Sequence, residues 1–410
     1  MRVLAVSQFY APDHSAVAQL LAQMLEDVAA AGVDVTVVAS RGGYLGGGAT
    51  LAPEETLRGV RVVRPWATNL GKRSVLRRLT DYGSFWATSL SRAMVERRPD
   101  VMLALTTPPM IASGVLAVAT ARRVPFVTWV QDVYPDLPIQ LGMLREESVP
   151  ARSLRAVQRL AYRSAAHNVA ISPGMALKLV AQGAPRANLR VIPNWADGRV
   201  LSPIAVEKNS FRKEHGLEGR FVAMYSGNLG VGHDVGTFVE AARQLESTHP
   251  EVLMLFIGEG VRRAEAEATA RGLSNVRFLP YQPEATLEQS LGAADVHLIS
   301  LREDLEGLLV PSKLYAAAAV GRPIMYVGPP TCEVARVVRE HDLGWTGRAG
   351  DAAGLAAAIG NAARSRAWCE KRGARAREVF AAQFDRPIAT RAWLETLESA
   401  ASRGAGRGDR

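Results

Sequence analysis

The sequence predicts an α/β protein made of two doubly wound parallel-sheet domains in series. Short, almost wholly apolar strands alternate with Gly or Pro turns and amphipathic helices. That rhythm stops once, over the polar, Pro-bearing residues 196–219, and then restarts. At 410 residues the chain also exceeds what one hydrophobic core usually supports. In the first half the strands fall at 3–7, 35–39, 60–64, 101–105, 125–130, 168–172 and 189–193. Each is too apolar to leave one face in water, as in a sheet covered on both sides. In the second half they fall at 221–226, 253–258, 276–280, 296–300 and 323–328. Two Rossmann-like domains follow, 1–199 and 200–384, with ligands expected outside the C-terminal ends of the strands. Residues 402–410 are rich in Gly and Arg and are expected to be disordered.

The composition, 48% apolar and 22% charged, is that of an ordinary globular protein. Only Cys332 and Cys369 occur, too few for a disulfide framework or a Cys-rich metal site, and a reducing cytoplasm is the simplest compartment. The run from Met1 to Ser7 is a short apolar strand that meets Tyr10-Ala11-Pro12-Asp13 at once, so no cleavable signal is expected. Residues 101–121 are uncharged and mostly apolar, but Pro108-Pro109 interrupts them. A strand, a Pro-rich turn and a packed helix are expected there, not a membrane span.

Residues 1–199 hold 23 Lys+Arg against 14 Asp+Glu, a balance of +9, whereas residues 200–410 hold 26 of each. Within the basic half, Lys72, Arg73, Arg77 and Arg78 precede Tyr82, Phe85 and Trp86, and Val75, Leu76, Leu79, Tyr82, Trp86 and Leu90 recur at helical spacing. Two readings stand: a basic amphipathic helix that meets anionic lipid headgroups, or a domain helix with its apolar face in the core. No nucleic-acid-binding motif accompanies these residues, and nucleic acid is not an expected partner.

Residues 306–324, EGLLVPSKLYAAAAVGRPI, read as a Gly-bearing turn feeding a small-residue helix closed by Gly-Arg-Pro. A helix N-terminus offers unpaired N–H groups and a positive dipole end to an anion. Lys313 in the first turn opposes that dipole unless a bound phosphate lies between them; the alternative is a solvated lysine on a capped surface helix. Gly227-Asn228-Leu229-Gly230-Val231-Gly232 directly follows the first strand of the second half. Its G-x-x-G-x-G spacing, without an acid about 20 positions on, departs from the dinucleotide fingerprint and argues against a nicotinamide-dependent dehydrogenase. The glycines still permit close backbone approach to a phosphate.

Taken in order, Tyr225-Ser226-Gly227-Asn228-Leu229-Gly230, Phe256-Ile257-Gly258-Glu259-Gly260, Asn275-Val276-Arg277-Phe278, Ala293-Ala294-Asp295-Val296, and Val310-Pro311-Ser312-Lys313 with Gly321-Arg322-Pro323 resemble the retaining glycosyltransferases of family four, which have the GT-B fold. Upstream, Gln8-Phe9-Tyr10-Ala11-Pro12, Trp129-Val130-Gln131-Asp132-Val133-Tyr134-Pro135 and Ile192-Pro193-Asn194-Trp195-Ala196-Asp197 resemble the subgroup that builds exopolysaccharide or O-antigen. The resemblance covers nearly the whole chain. It implies two Rossmann-like domains with parallel sheets facing across a cleft, the nucleotide-sugar donor in the C-terminal one and the acceptor in the N-terminal one. A last helix, about 385–401 around Trp393 and Leu394, is expected to pack back on the first domain. The diphosphate is expected on backbone amides around Leu308, Leu309 and Val310, beside Ser312, with Lys313 meeting its charge and the turns at Gly258 and Tyr281-Gln282 meeting the base.

The chain departs from that family at several positions. Where the family carries Glu, seven residues and a second Glu, this chain has Leu308 and Ala316. The ribose contact is therefore unassigned, and Glu306 becomes the candidate sugar-facing carboxylate. The family's Arg and Lys after the first C-domain strand fall on Asn228 and His233, leaving Lys313, helped by Arg302, to meet the diphosphate. Gln131 stands where a His commonly precedes the Asp; it can hydrogen-bond a sugar hydroxyl but cannot titrate. Asp132 is the candidate for orienting the acceptor or handling its proton, with a helix-cap role as the alternative, and Asp136 is the lesser candidate. His14, Ser15 and Asn194 are candidate acceptor or sugar contacts, and Trp195 either lines the cleft or packs between domains.

Departure of a nucleoside diphosphate from an anomeric carbon builds negative charge on the leaving group, which N–H donors and a cation stabilise. No Asp-x-Asp pair occurs in the chain, and neither a metal nor a cofactor is expected. The resemblance implies a retaining transferase that uses a UDP-sugar, with GDP as the other option. The implied acceptor is a polyprenyl-diphosphate-linked saccharide, met at the cytoplasmic face of the inner membrane by a peripheral protein. Two competing classes are a nucleotide-sugar epimerase of the same fold, which needs more carboxylates and a His around the sugar, and a non-catalytic nucleotide-sugar-binding protein.

Overall fold

The computed structural model describes residues 1–13, 15–43, 51–70 and 74–408. It divides into two units: Met1–Pro193 with Gly307–Leu309 and Pro387–Arg410, and Asn194–Glu306 with Val310–Arg386.

In the first unit β1 (Arg2–Val6), β2 (Asp34–Val38), β3 (Glu54–Leu57), β4 (Val60–Val63), β5 (Val101–Ala104), β6 (Phe126–Val130), β7 (His167–Ala170) and β8 (Leu189–Val191) form one sheet. Their order is β3-β4-β2-β1-β5-β6-β7-β8, parallel throughout except that β3 pairs antiparallel with β4. The hydrophobic pattern misses β3 because this edge strand, Glu54-Glu55-Thr56-Leu57, is polar. Arg58 and Gly59, both at positive φ, return it to β4 as a hairpin. The connecting helices are α1 (Ala16–Ala30), α2 (Val75–Val95), α3 (Ile111–Arg122), α4 (Asp136–Gln140), α5 (Val149–Ser164) and α6 (Pro173–Ala181). Helices α2, α3 and α5 form one layer, packed over a core that includes Leu4, Val6, Met102, Ala104 and Phe126. Residues 101–121 divide into β5 and α3, and among the described residues no helix is long and apolar enough to cross a membrane.

The second unit holds β9 (Phe221–Ser226), β10 (Val252–Ile257), β11 (Val276–Leu279), β12 (Val296–Ser300), β13 (Ile324–Val327) and β14 (Gly344–Gly347), all parallel, in the order β11-β10-β9-β12-β13-β14. Its helices are α7 (Ser210–Glu214), α8 (Gly236–Thr248), α9 (Arg263–Thr269), α10 (Leu287–Gly292), α11 (Lys313–Ala319), α12 (Glu333–Glu340), α13 (Ala352–Ala363) and α14 (Arg366–Val379). Strand β14 carries no run of β-branched residues and so escapes the sequence pattern. A Cβ at Gly344 would stand 2.0 Å from the Ile324 carbonyl oxygen, so β13 admits only glycine there. Strand order reverses between β1 and β5 in the first unit and between β9 and β12 in the second, which places the ligand crevice of each at those strand ends.

The final helix, α15 (Arg386–Gly408), begins in the second unit and belongs to the first from Pro387 onward. Its Trp393 ring lies 4.6 Å from Trp129 of β6, and Thr390 donates to Asp27 of α1 at 2.9 Å. Of residues 402–410, expected to be disordered, 402–408 continue α15 and 409–410 lie outside the described residues. Arg403 Nη1 donates to the Ala166 carbonyl (2.9 Å) and to Asn188 Oδ1 (3.0 Å), and Gly404 lies against Pro125, contacts that outweigh the poor helix propensity of the Gly/Arg run.

The units divide after Pro193, ahead of the 199/200 boundary read from the sequence, because residues 196–199 are bonded to residues 384–386. Ala196 and Asp385 form a parallel bridge, Gly198 N–H donates to Asp385 at 2.9 Å, and Arg386 meets Asp197 at 3.0 Å with both side chains buried. Burial pushes the Asp197 pKa up, but Arg199 and Arg386 outweigh it and hold the carboxyl at about 2. Its stabilising contribution is present above the ordinary carboxylate range and is lost as pH falls through about 2. Replacing Arg386 with Ala removes the buried partner of Asp197 and leaves Arg199 as its remaining cation, and should lower stability by about 2 kcal/mol in urea unfolding at neutral pH.

Candidate functional site

In the second unit, β9 and β12 end side by side at Ser226 and Ser300. The chain leaves β9 through Gly227 at φ +127°, and the Lys313 side chain lies directly over it. A Cβ at Gly227 would stand 3.0 Å from Lys313 Cε. The ammonium group is 4.7 Å from the Tyr225 ring centroid and donates to His233 Nε2 at 3.3 Å. His233 Nδ1–H donates to the Ser300 carbonyl at 2.7 Å, which leaves the Nε2 lone pair facing Lys313. Burial and the neighbouring Lys313 charge push the His233 pKa down to about 3, so the ring is neutral. Lys313 is half-buried, and loss of hydration lowers its pKa to about 7.

The turns around it interlock through glycines. A Cβ at Gly258 would fall 2.2 Å from the Gly227 carbonyl oxygen, and one at Gly260 would fall 2.4 Å from the Leu229 carbonyl oxygen. Gly227 N–H donates to Ile257 and Leu229 N–H to Glu259, each at 2.8 Å, while Tyr225 Oη donates to the Asn228 carbonyl at 2.8 Å. Arg262 and Arg263 bolt the turns from behind by donating to the carbonyls of His233 (2.9 Å) and Gly258 (2.7 Å). Motif reading did not single out Tyr225, Ser300, Arg262 or Arg263 for these roles. The signal available was their position at strand ends or one turn past a glycine.

The other donor-side candidates are placed as follows. Ser312 is exposed and precedes α11 without a side-chain cap bond, Val310 is half-buried, and Ala316 lies within α11. Tyr281 is 46% exposed with its hydroxyl 3.5 Å from the Glu259 carbonyl, and Gln282 donates to Pro280 at 2.9 Å. Arg302, expected to help Lys313, is instead held bidentate by Asp304 at 3.1 and 2.6 Å, because that acid follows two residues later on the same turn. Glu306 accepts a hydrogen bond from Thr331 Oγ1. Leu308 and Leu309 group with the first unit, where the Leu308 carbonyl accepts from Val133 N–H at 2.9 Å. An open cavity of about 870 Å³ lies beside the turns, lined by Val231, Asp234, Arg262, Glu265, Arg302 and Asp304 among others. Its arginines are paired with Glu265 and Asp304, so it offers an anion less than Lys313 does.

In the first unit, Asp132 follows β6 directly and is half-buried. Loss of hydration raises its pKa to about 6, and among the described residues nothing donates a hydrogen bond to its carboxylate. Gln131 is buried beside it, with its N–H on Thr106 Oγ1 at 3.4 Å. Asp136, by contrast, accepts from Arg155 (3.0 Å) and Gln182 (2.7 Å) and braces α4 against its neighbours. Ser15 precedes α1, its N–H donates to Asp13 at 2.7 Å, and its buried Oγ has no partner among the described residues. Asn194 is buried and is the first residue of the second unit. Arg77 is exposed and Arg78 half-buried on the first turns of α2, whose Ser74 cap accepts from Arg77 N–H at 3.3 Å. The apolar stripe of α2 is buried only from Phe85 onward, since Leu76 and Leu79 are 74% and 58% exposed. His14, Lys72 and Arg73 lie outside the described residues.

Two parallel-sheet units, the second with a cation held over a glycine turn where its strand order reverses, are the architecture of GT-B glycosyltransferases. The family models agree: residues 15–195 match a glycosyl transferase 4-like domain and residues 220–365 match glycosyl transferases group 1. The chain is 28% identical over 265 residues to WbjE of Pseudomonas aeruginosa, described as a glycosyltransferase, covering 64% of this chain and 66% of that one. It is 26% identical over 334 residues to WcaI of Escherichia coli K12, described as a colanic acid biosynthesis glycosyl transferase, covering 78% and 82%. HepE of Anabaena, solved in complex with UDP-glucose, superposes with a TM-score of 0.72 over 97% of this chain and 100% of its own, at 17% identity, a likeness of fold. The chain belongs to glycosyltransferase family four, in its exopolysaccharide and O-antigen group.

The neutral His233 tautomer is open to direct measurement. In a nitrogen-detected NMR titration its ring should stay uncharged, with the proton on Nδ1, down to about pH 4, and protonation near pH 6 would contradict the site as drawn.

Proposed function

We propose that this glycosyltransferase moves a sugar from a UDP-sugar to a polyprenyl-diphosphate-linked saccharide, with retention at the anomeric carbon and without a metal. The second unit holds the donor and the first holds the acceptor. The observation that carries this reading is Lys313, a cation aimed over the Gly227 turn at the strand-order switch. HepE, which has this fold, was solved with UDP-glucose, and that supports UDP as the nucleotide.

As the bond from the anomeric carbon to the diphosphate lengthens, negative charge gathers on the leaving oxygens. Lys313 stabilises it in a half-buried setting, where one charge counts for more than it does in water. The sugar becomes oxocarbenium-like, and Glu306 is the carboxylate proposed to face it. The acceptor hydroxyl attacks on the face that the diphosphate vacates. Its proton passes to a leaving diphosphate oxygen or to Asp132, whose raised pKa suits it to orienting and receiving. Gln131, Ser15 and Asn194 are the proposed hydrogen-bonding partners of acceptor or donor hydroxyls, and Tyr281 and Gln282 those of the base. The exposed Leu76 and Leu79 with Arg77 and Arg78 support a peripheral contact with the inner-membrane surface through the start of α2.

Lys313→Ala should lower transfer at least about 100-fold with thermal unfolding unchanged, and wild-type turnover would remove the diphosphate assignment. Calorimetric titration with UDP should give the same affinity in EDTA and in magnesium, and UMP should bind far more weakly. The free Lys313 is protonated below about pH 7. Bound diphosphate selects the charged form, so affinity should hold below pH 7 and weaken by about tenfold per unit above it until the raised pKa of the complex is reached. If Asp132 takes the proton, kcat falls as pH drops below about 6, and Asp132→Asn removes that limb.

A further inference from the structure

We propose that the outward face of α5 docks on an anionic lipid bilayer, so that the layer of α2, α3 and α5, and not the start of α2 alone, forms the membrane-facing side of the first unit. This rests on the reading of the enzyme as one that meets a lipid-linked acceptor.

Helix α5 buries Ala151, Gln158, Ala161 and Tyr162 toward the sheet. Its opposite face leaves Val149 73%, Val157 47% and Leu160 58% exposed, at spacings that place them on one side of the helix. Arg152, Arg159 and Arg163 border that apolar strip and are themselves exposed. The helix contains four arginines and no acidic residue. Among the described residues only Arg155 of this helix is ion-paired, at 3.0 Å from both Asp136 and Glu146, and the Arg152 guanidinium donates to the Glu147 backbone carbonyl. The second unit treats its surface arginines differently. Arg263, Arg336 and Arg366 each pair with a Glu four residues on, and charge balances over that half of the chain.

The imbalance extends across the layer. Helices α2, α3 and α5 together carry eight arginines and one acid, Asp81, which is buried and accepts from Leu70 N–H. The exposed Glu146 and Glu147 precede the helix, Glu146 paired with Arg155. Along the helix itself the apolar strip is edged by Arg152, Arg159 and Arg163, which have no ion-pair partner among the described residues, and this complements acyl chains beneath anionic headgroups. The position also fits the chemistry: through Arg155, α5 grips Asp136 of α4, on the segment that carries Asp132. A bilayer holding α5 therefore sits one ion pair from the proposed acceptor-handling carboxylate.

The test is co-sedimentation of the full chain with vesicles of phosphatidylcholine alone and with added phosphatidylglycerol, alongside UDP calorimetry and sedimentation velocity. Wild type should bind only the anionic vesicles. Val157→Glu with Leu160→Glu, and separately Arg152→Glu with Arg163→Glu, should each weaken that binding at least about tenfold while UDP affinity and unfolding temperature stay as in wild type. If both pairs bind like wild type while Arg77→Glu with Arg78→Glu does not, the α5 proposal falls and the contact through α2 survives. If wild type binds no vesicles, both fall. If the Val157 and Leu160 variants instead split an oligomer into monomers with vesicle binding unchanged, the face is a contact between copies of this chain and the proposal is overturned.

Discussion

Lys313 can hold its ammonium group above Gly227 only because that residue has no side chain, and the rest of the candidate donor site is arranged around this approach. A Cβ at 227 would press on Lys313 Cε, and one at 258 would strike the Gly227 carbonyl, so the two turns and the lysine fit as one packed unit. Tyr225 lends the face of its ring to the cation, and its hydroxyl holds the Asn228 carbonyl. His233, pinned through Nδ1 to the end of β12, offers a neutral lone pair to the ammonium group. The result is a single, aimed and titratable positive charge.

Arginine is used in two ways along this chain. In the second unit it fastens backbone to backbone: Arg322 bonds the carbonyls of Ile204 and Gly292, Arg377 those of Leu201 and Ala319, and Arg262 that of His233. Such guanidinium groups fix loop positions behind the site, and Arg377 also lies over the Phe380 ring while Arg262 pairs with Glu265. In the first unit several arginines lie on helix surfaces beside apolar side chains, and there the net charge of the whole chain accumulates. The same residue type thus builds rigidity around the donor turns and an adhesive surface elsewhere.

The strands were legible almost to the residue, since all-buried segments such as β5 and β10 are apolar without interruption and bounded by a turn signal. Of the four edge strands, β8 and β11 were legible as well, but β3 and β14 were not. β3 is polar because half of it faces water, and β14 is glycine-rich because of its close approach to β13. The tail reads as disordered by composition, yet up to Gly408 it continues α15, where Arg403 and Gly404 meet Ala166, Asn188 and Pro125, next to strands of the first sheet and far away in sequence. At the site, the glycine turns and Lys313 stood out by spacing, whereas Arg302 looked available until its neighbour Asp304 proved to hold it.

By itself the sequence determined the α/β class, the two-unit plan and the family, because these rest on local apolar runs and on ordered short motifs that survive without knowledge of contacts. Only the tertiary structure decided which charges are free to act. Lys313 is poised between Tyr225 and His233, Asp132 has no donor among the described residues while Asp136 is bound by Arg155 and Gln182, and the outward side chains of α5 are exposed. The physical reason is that the state of a charged group depends on desolvation and on partners brought from distant parts of the chain, and neither is written in its immediate neighbours.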